Sequence, residues 1–253
     1  MRQIEQQIGR FYQTAGGTLL LLMQSVREFR LGRNDRRRIL EQMLIVGWQT
    51  VPLALLIGIF TGMTVALGTG LVLAGFGQQV FIASIVAESM VKEMGPVFTA
   101  YIIAARVGAA MTAELGTMAV NDEINVLRVL GISPQRYLVM PRVIAALTMT
   151  PALTAYAMAV GLIGGYVVAG PYFGVSWVLY KAELFRVLTP DEVFLGLSKG
   201  LFFGAIYSAV CCQLGITTTG GAKGVGRSTT AAVVISLSGI LIANFLLTRF
   251  MFG

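Results

Sequence analysis

Residues 43–67 read MLIVGWQTVPLALLIGIFTGMTVAL. About 20 predominantly apolar residues in a helix cross the ~30 Å hydrocarbon core of a bilayer, so this stretch predicts a membrane span. Pro52 falls inside it and is expected to kink or loosen the helix, because proline brings no N–H to the ladder. The residues that follow, GTGLVLAGFG (68–77), read as a glycine-rich turn without one charge. Apolar region 78–113 is too long for one simple span and is interrupted at Gly95-Pro96. It predicts a helix over 78–94 that continues inward over 96–113. Further spans are expected over 143–168, 194–216 and 228–248, five in all.

Composition agrees with that pattern. Apolar residues make up 56% of the chain and charged residues 12%, against roughly half and a quarter in a soluble domain. A bilayer accommodates such a surface because it solvates outward-facing apolar side chains, and the 30 glycines suit closely approaching membrane helices. The fold class is therefore an all-α integral membrane protein. Its parts are an interfacial amphipathic segment over 1–42 and a transmembrane region over 43–253.

In the first segment Ile4, Ile8, Phe11, Ala15, Leu19, Leu22, Val26 and Phe29 recur at steps of three and four, the stripe of a helix lying on a membrane. Eight of the 19 Lys and Arg residues precede the first span, among them Arg33, Arg36, Arg37 and Arg38. The positive-inside rule then places the N-terminus in the cytoplasm. Alternation puts loops 114–141 and 217–227 inside, and loops 68–77 and 169–193 outside with the C-terminus. The net charge of +7 is matched to anionic headgroups rather than nucleic acid. No short apolar core precedes a small-residue cleavage site, so no secretory signal is expected.

Several chemistries are excluded by residue type. The chain has no histidine, which removes His-based metal sites, Ser-His-Asp triads and histidine proton relays. Cys211 and Cys212 are adjacent within an apolar run and read as small buried hydrophobes. Gly221-Ala-Lys-Gly-Val-Gly226-Arg227-Ser228 approaches phosphate-loop spacing, but Arg stands for the required Lys and no strand precedes it. A flexible cytoplasmic turn is expected there instead.

The most informative stretch is 104–142, AARVGAAMTAELGTMAVNDEINVLRVLGISPQRYLVMPR. Gly108, Thr112 and Gly116 form a small-residue face for close helix packing. A short amphipathic helix follows, with Asn121 as N-cap, Asp122 and Glu123 in its first turn, and Ile124, Leu127, Val129 and Leu130 as its apolar side. Gly131 and Ser133-Pro134 stop it. It is either a solvated connector or a docking helix for a cytoplasmic partner. Intramembrane charges also stand out: Glu88, Lys92, Glu93, Arg106 and Glu114. Glu88 and Lys92 are four apart and suit a simple ion pair.

Glu114-Leu-Gly-Thr-Met118, Ile124–Leu127, Gly131-Ile-Ser-Pro134, Arg136-Tyr-Leu138 and Pro141-Arg142 resemble the permease subunit of MCE-type ABC lipid transporters, the MlaE permeases. Lys92-Glu-Met-Gly-Pro96, Ala105-Arg-Val-Gly108 and Phe60-Thr-Gly-Met63 match the same pattern. The resemblance covers roughly residues 40–250. It implies a homodimer with two ABC ATPase subunits, an MCE-domain substrate-binding protein on the outer side, and phospholipid as cargo. It also implies a bacterial inner membrane or an organelle envelope descended from one. ATP and Mg would sit on the ATPase, leaving this chain non-enzymatic and without a cofactor. The 121–130 segment corresponds to the coupling helix, so Asp122, Glu123, Ile124, Leu127 and Arg128 are its expected ATPase contacts. Asn121, Asp122, Glu123 and Asn125 stand where Thr, Glu, Gln and Asp are expected.

A phospholipid needs an apolar path for its tails and a polar spot for its head. Val65, Val72, Leu73 and Phe76 are the expected path. Lys92 and Glu93, similar to a charged pair of the family's lipid cavity, are the expected polar spot, unless both merely pair with neighbours. The alternative function is a permease for another solute, driven by an ion gradient.

Overall fold

The computed structural model describes residues 33–251, and among them every regular element is helical. The amphipathic stripe over 1–30 lies outside the described residues. The helices are α1 (Arg33–Val46), α2 (Val51–Ala74), α3 (Gln79–Val120), α4 (Glu123–Val129), α5 (Gln135–Phe173), α6 (Trp177–Val187), α7 (Pro190–Ile216) and α8 (Gly221–Met251). Among the described residues, five stretches are long and apolar enough to cross a membrane: Asp35–Ala74, α3, α5, α7 and α8. The chain is a multi-pass membrane protein.

The five spans agree with the sequence expectation, but their ends do not. Residues 68–77 are not a turn: α2 runs on to Ala74, and only the next four residues connect it to α3. Inside a bilayer each backbone group needs a partner, and the helix supplies one even through glycine. Pro52 does break regularity, but at a helix start. A 3-10 turn, Trp48–Thr50, separates α1 from α2, and Pro52 takes an early position where its missing N–H costs nothing. The 169–193 loop contains α6, begun by Ser176, whose Oγ accepts the Leu179 N–H at 3.3 Å. The phosphate-loop look-alike is likewise helical from Gly221 on.

Gly95-Pro96 does not interrupt α3. A π-helical turn, Ser89–Met94, precedes the proline, and the Gly95 N–H reaches back five residues to the Met90 carbonyl. Such a wide turn absorbs the disruption that proline brings. A second π turn spans Ala104–Gly108.

Two compact units divide the chain. The first holds residues 33–46, Ile103–Thr148 and Gly204–Ile240. Its core joins Leu115, Ile124, Leu138, Val139, Val143 and Cys212. Here the Gly108/Thr112/Gly116 face packs within the chain. A Cβ on Gly108 would stand 2.8 Å from Cys211 Sγ, and one on Gly116 3.2 Å from Thr218 Oγ1. Thr112 Oγ1 donates to the Cys211 carbonyl at 3.1 Å. Cys211 and Cys212 are fully buried, as expected of small hydrophobes.

The second unit holds residues 47–102, Met149–Phe203 and 241–251. In it α2 lies against α5 with almost no side chain between them: Gly62 faces the Gly161 carbonyl, Gly164 faces Ile59, and Gly58 faces Ala157. Its core joins Ile82, Val86, Met90, Ala169, Tyr180 and Leu184, among others.

Candidate functional site

The first candidate lies in the second unit, around the π turn of α3. Pro96 has no N–H for the carbonyl four residues back, that of Lys92. Lys199 of α7 donates to that carbonyl instead, Nζ to O at 2.6 Å. The same ammonium, 0% exposed, lies 3.1 Å from Glu93 Oε1, 2.7 Å from Thr248 Oγ1 and 3.2 Å from Asn244 Oδ1. The Thr248 hydroxyl donates to the same Glu93 oxygen, Oε1, and Asn244 Nδ2 donates to Oε2, both at 2.6 Å. A buried ammonium needs such pairing, since removing an isolated charge from water is prohibitive.

Lys92, on the same turn, points elsewhere. Its Nζ lies 3.2 Å from Glu88 and 2.9 Å from Glu192. The two residues expected to form one polar spot thus belong to two separate ion-pair groups. Of their partners, Glu88 was legible as an i,i+4 neighbour. Lys199, Asn244, Thr248 and Glu192 were missed. Lys199 carried a signal, being a lone charge inside an apolar span.

Beside this turn runs a groove of about 600 Å³ lined by Leu56, Ile57, Phe60, Thr61, Thr64 and Val65 of α2 and Met94 and Phe98 of α3. It is almost wholly apolar, and the Thr64 hydroxyl is internally satisfied on the Phe60 carbonyl at 2.8 Å. The four expected tail contacts divide. Val65 lines the groove, Leu73 packs on the buried core, and Val72 and Phe76 stand exposed near the end of α2.

The second candidate is α4, in the first unit. Asn121 does not cap it but ends α3. Asp122 occupies the cap position with φ 60, the only left-handed non-glycine among the described residues. Its carboxylate accepts from Asn125 Nδ2 at 2.8 Å, and the Arg128 guanidinium donates to Asn125 Oδ1 at 3.2 Å. Gly131, at φ 71, ends the helix as expected. The Gly131 N–H donates to the Arg128 carbonyl and the Ile132 N–H to that of Leu127, a Schellman pair.

The apolar side of α4 is turned otherwise than its pattern suggested. Ile124 is 3% exposed, and Leu127, half-buried, packs on the same inner cluster. Val126, Val129 and Leu130 face outward, Val129 at 87% exposure. Asp122, Glu123 and Arg128 are exposed around them.

Four further contacts in this unit lie on the flanks of α4. Arg142 donates to Glu114 at 2.9 Å and to the Leu138 carbonyl at 2.8 Å, joining the end of α3 to the start of α5. Arg136 donates to Asp35 at 2.9 Å, while the Arg38 guanidinium stacks 3.7 Å above the Tyr137 ring.

Residues 39–250 match the family model described as Permease MlaE. The chain is 41% identical to a Synechocystis protein named "Probable ABC transporter permease protein" over 221 residues, 87% of this chain and 84% of that one. It is 38% identical to the Arabidopsis thaliana chloroplast protein TRIGALACTOSYLDIACYLGLYCEROL 1, over 87% of this chain and 63% of the other. A permease-named protein of Pyropia yezoensis is 30% identical over 252 residues, 100% of this chain and 95% of its own length.

Proposed function

Because the chain belongs to the MlaE permease family of ABC transporter permeases, we propose that it is the membrane subunit of an ATP-driven transporter that moves phospholipid between membranes. The observation that carries the lipid reading is the apolar groove of α2 and α3, whose Met94 directly follows Glu93 on the π turn. Acyl chains suit its walls; the charges beside it are already paired, Glu93 with Lys199 and Lys92 with Glu88 and Glu192, so a lipid head would have to compete with those partners. The name of the Arabidopsis relative is that of a galactolipid, which supports a lipid as the substrate class.

The working unit in this reading is a homodimer with two ABC ATPase subunits and an MCE-domain protein. ATP and Mg are held by the ATPase and no cofactor by this chain. α4 is the coupling helix. Val126, Val129 and Leu130 enter the ATPase, while Asp122, Glu123 and Arg128 orient it at the rim. Arg33, Arg36, Arg37 and Arg38 at one end of the first span, with Arg128 and Arg136 around α4, support a cytoplasmic position for that side.

Reconstitution of the chain with its ATPase and MCE partners, following labelled phospholipid between two vesicle populations, tests this. Transfer that depends on ATP is the expected result. Movement of another solute by this chain alone, under an ion gradient, would establish the alternative.

A further inference from the structure

α6 carries apolar side chains on two faces. One is buried: Tyr180 and Leu184 sit in the second unit's core, and the Tyr180 hydroxyl donates to the Leu162 carbonyl at 3.0 Å. The other is open, with Val178 77% and Phe185 72% exposed and Ala182 exposed between them. Steps of four and three set these on one stripe. At ~100° per residue, Lys181 and Arg186 stand on either side of it.

Three properties say what covers this stripe. The first is tethering: Phe173 ends one membrane span and Pro190 begins the next, so only residues 174–176 and 188–189 separate α6 from the bilayer. The second is charge. Lys181 and Arg186 are exposed, whereas Glu183 is turned inward, its side chain 16% exposed, accepting from Ser84 Oγ at 3.0 Å and pairing with Arg186. The third is the amphipathic aromatic pair Tyr172 and Trp177, both exposed, at the start of the element. Such rings concentrate where hydrocarbon meets headgroups.

We propose that α6 lies flat in the headgroup layer of the bilayer, sandwiched between the protein's own core and lipid. Val178, Ala182 and Phe185 dip below the phosphates, and Lys181 and Arg186 reach up along their stems to phosphate oxygens. The inference is independent of what the protein transports: it needs only that the flanking helices span a membrane.

Nitroxide labels test it in the full chain held in lipid nanodiscs. Val178→Cys and Phe185→Cys change exposed positions, and native Cys211 and Cys212 are buried away from the reagent. Oxygen, which partitions into lipid, should relax both labels several-fold more than a water-soluble nickel chelate. They should lie shallower than a control label at Leu241→Cys in α8. Stronger relaxation by the chelate would put the helix in water and overturn the proposal. Shielding from both reagents would mean a protein covers the stripe, which also overturns it. The cationic half has its own measurement. Both labels should sit deeper in phosphatidylglycerol than in phosphatidylcholine discs, and Lys181→Glu with Arg186→Glu should abolish that difference. A difference that survives the double substitution would refute phosphate contact.

Discussion

Lys199 Nζ stands 2.6 Å from the carbonyl of Lys92, the acceptor that Pro96 leaves without its helical donor. A side chain from α7 thereby completes the backbone of α3. The same proton-rich group neutralises Glu93 one residue on, so one ammonium answers two needs created by adjacent residues.

Lys199→Met should therefore be costly. Removing one partner of a fully buried pair strands the other and costs about 3–5 kcal/mol. The cost here falls below that, because Glu93 is 33% exposed and keeps its bonds from Asn244 and Thr248. Thermal melting in nanodiscs should show a large fall for Lys199→Met and a smaller added loss when Glu93→Gln is combined with it, since the double change removes the stranded charge. A melting point equal to the parent's would mean the cluster contributes nothing to stability.

Two glycines on α2 should respond in opposite ways. A Cβ at Gly62 would run into the Gly161 backbone, which cannot swing aside, so Gly62→Ala should displace α5 and destabilise by at least the ~1–3 kcal/mol of ordinary overpacking. Gly68 has open space around its Cβ position, and Gly68→Ala should be neutral or stabilising by up to ~1 kcal/mol. Equal yields and melting points for the two variants would contradict the close α2–α5 approach.

On α4, Val129→Asp and Ile124→Asp should separate docking from folding. Val129→Asp places a charge on an exposed surface, so the protein should insert and melt normally but lose its ATPase on co-purification. Ile124→Asp puts an unpaired carboxylate into a sealed cluster and should lower stability itself. Retention of the ATPase by Val129→Asp would move the docking surface elsewhere.

The Asp35–Arg136 pair should behave as a clasp. Asp35 is nearly buried, whereas the Arg136 side chain is 43% exposed, so solvent discounts the pair to about 1 kcal/mol. Asp35→Asn should cost that much, and a double-mutant cycle with Arg136→Gln should recover most of it as coupling energy. Strictly additive effects would show the two do not interact in the membrane.

What could be read from sequence follows how local each determinant is. Spans announce themselves through length and hydropathy, and all five were legible. Their ends were not, because Gly68, Gly70 and Gly75 look like a turn to rules drawn from water, while Gly70 is in fact helical with a Phe173 ring over it. The stop of α4 was legible in Gly131. Its facing was not, because Ile124 and Val129 are equally apolar and only the cluster around Leu138 and Val143 decides which turns inward. At the charged site Glu93 was visible as an anomaly, but its partner lies 106 residues away, where no periodicity connects them.

The π turn at Ser89–Met94 amounts to a helix holding one residue more than its regular form requires. Shortening a membrane helix by one residue ordinarily slips the hydrogen-bond register and turns everything beyond by about 100°. Here a single deletion would relax the wide turn into regular α-helix and keep every backbone bond that Pro96 permits. The wide turn is underwound by about one residue's rotation, so the helix beyond it would keep its facing, and only residues of the turn itself, Glu93 among them, would shift away from their partners. A one-residue deletion is accordingly better tolerated here than in the regular turns of α3. A lineage that took it should also have exchanged Lys199 for an uncharged residue.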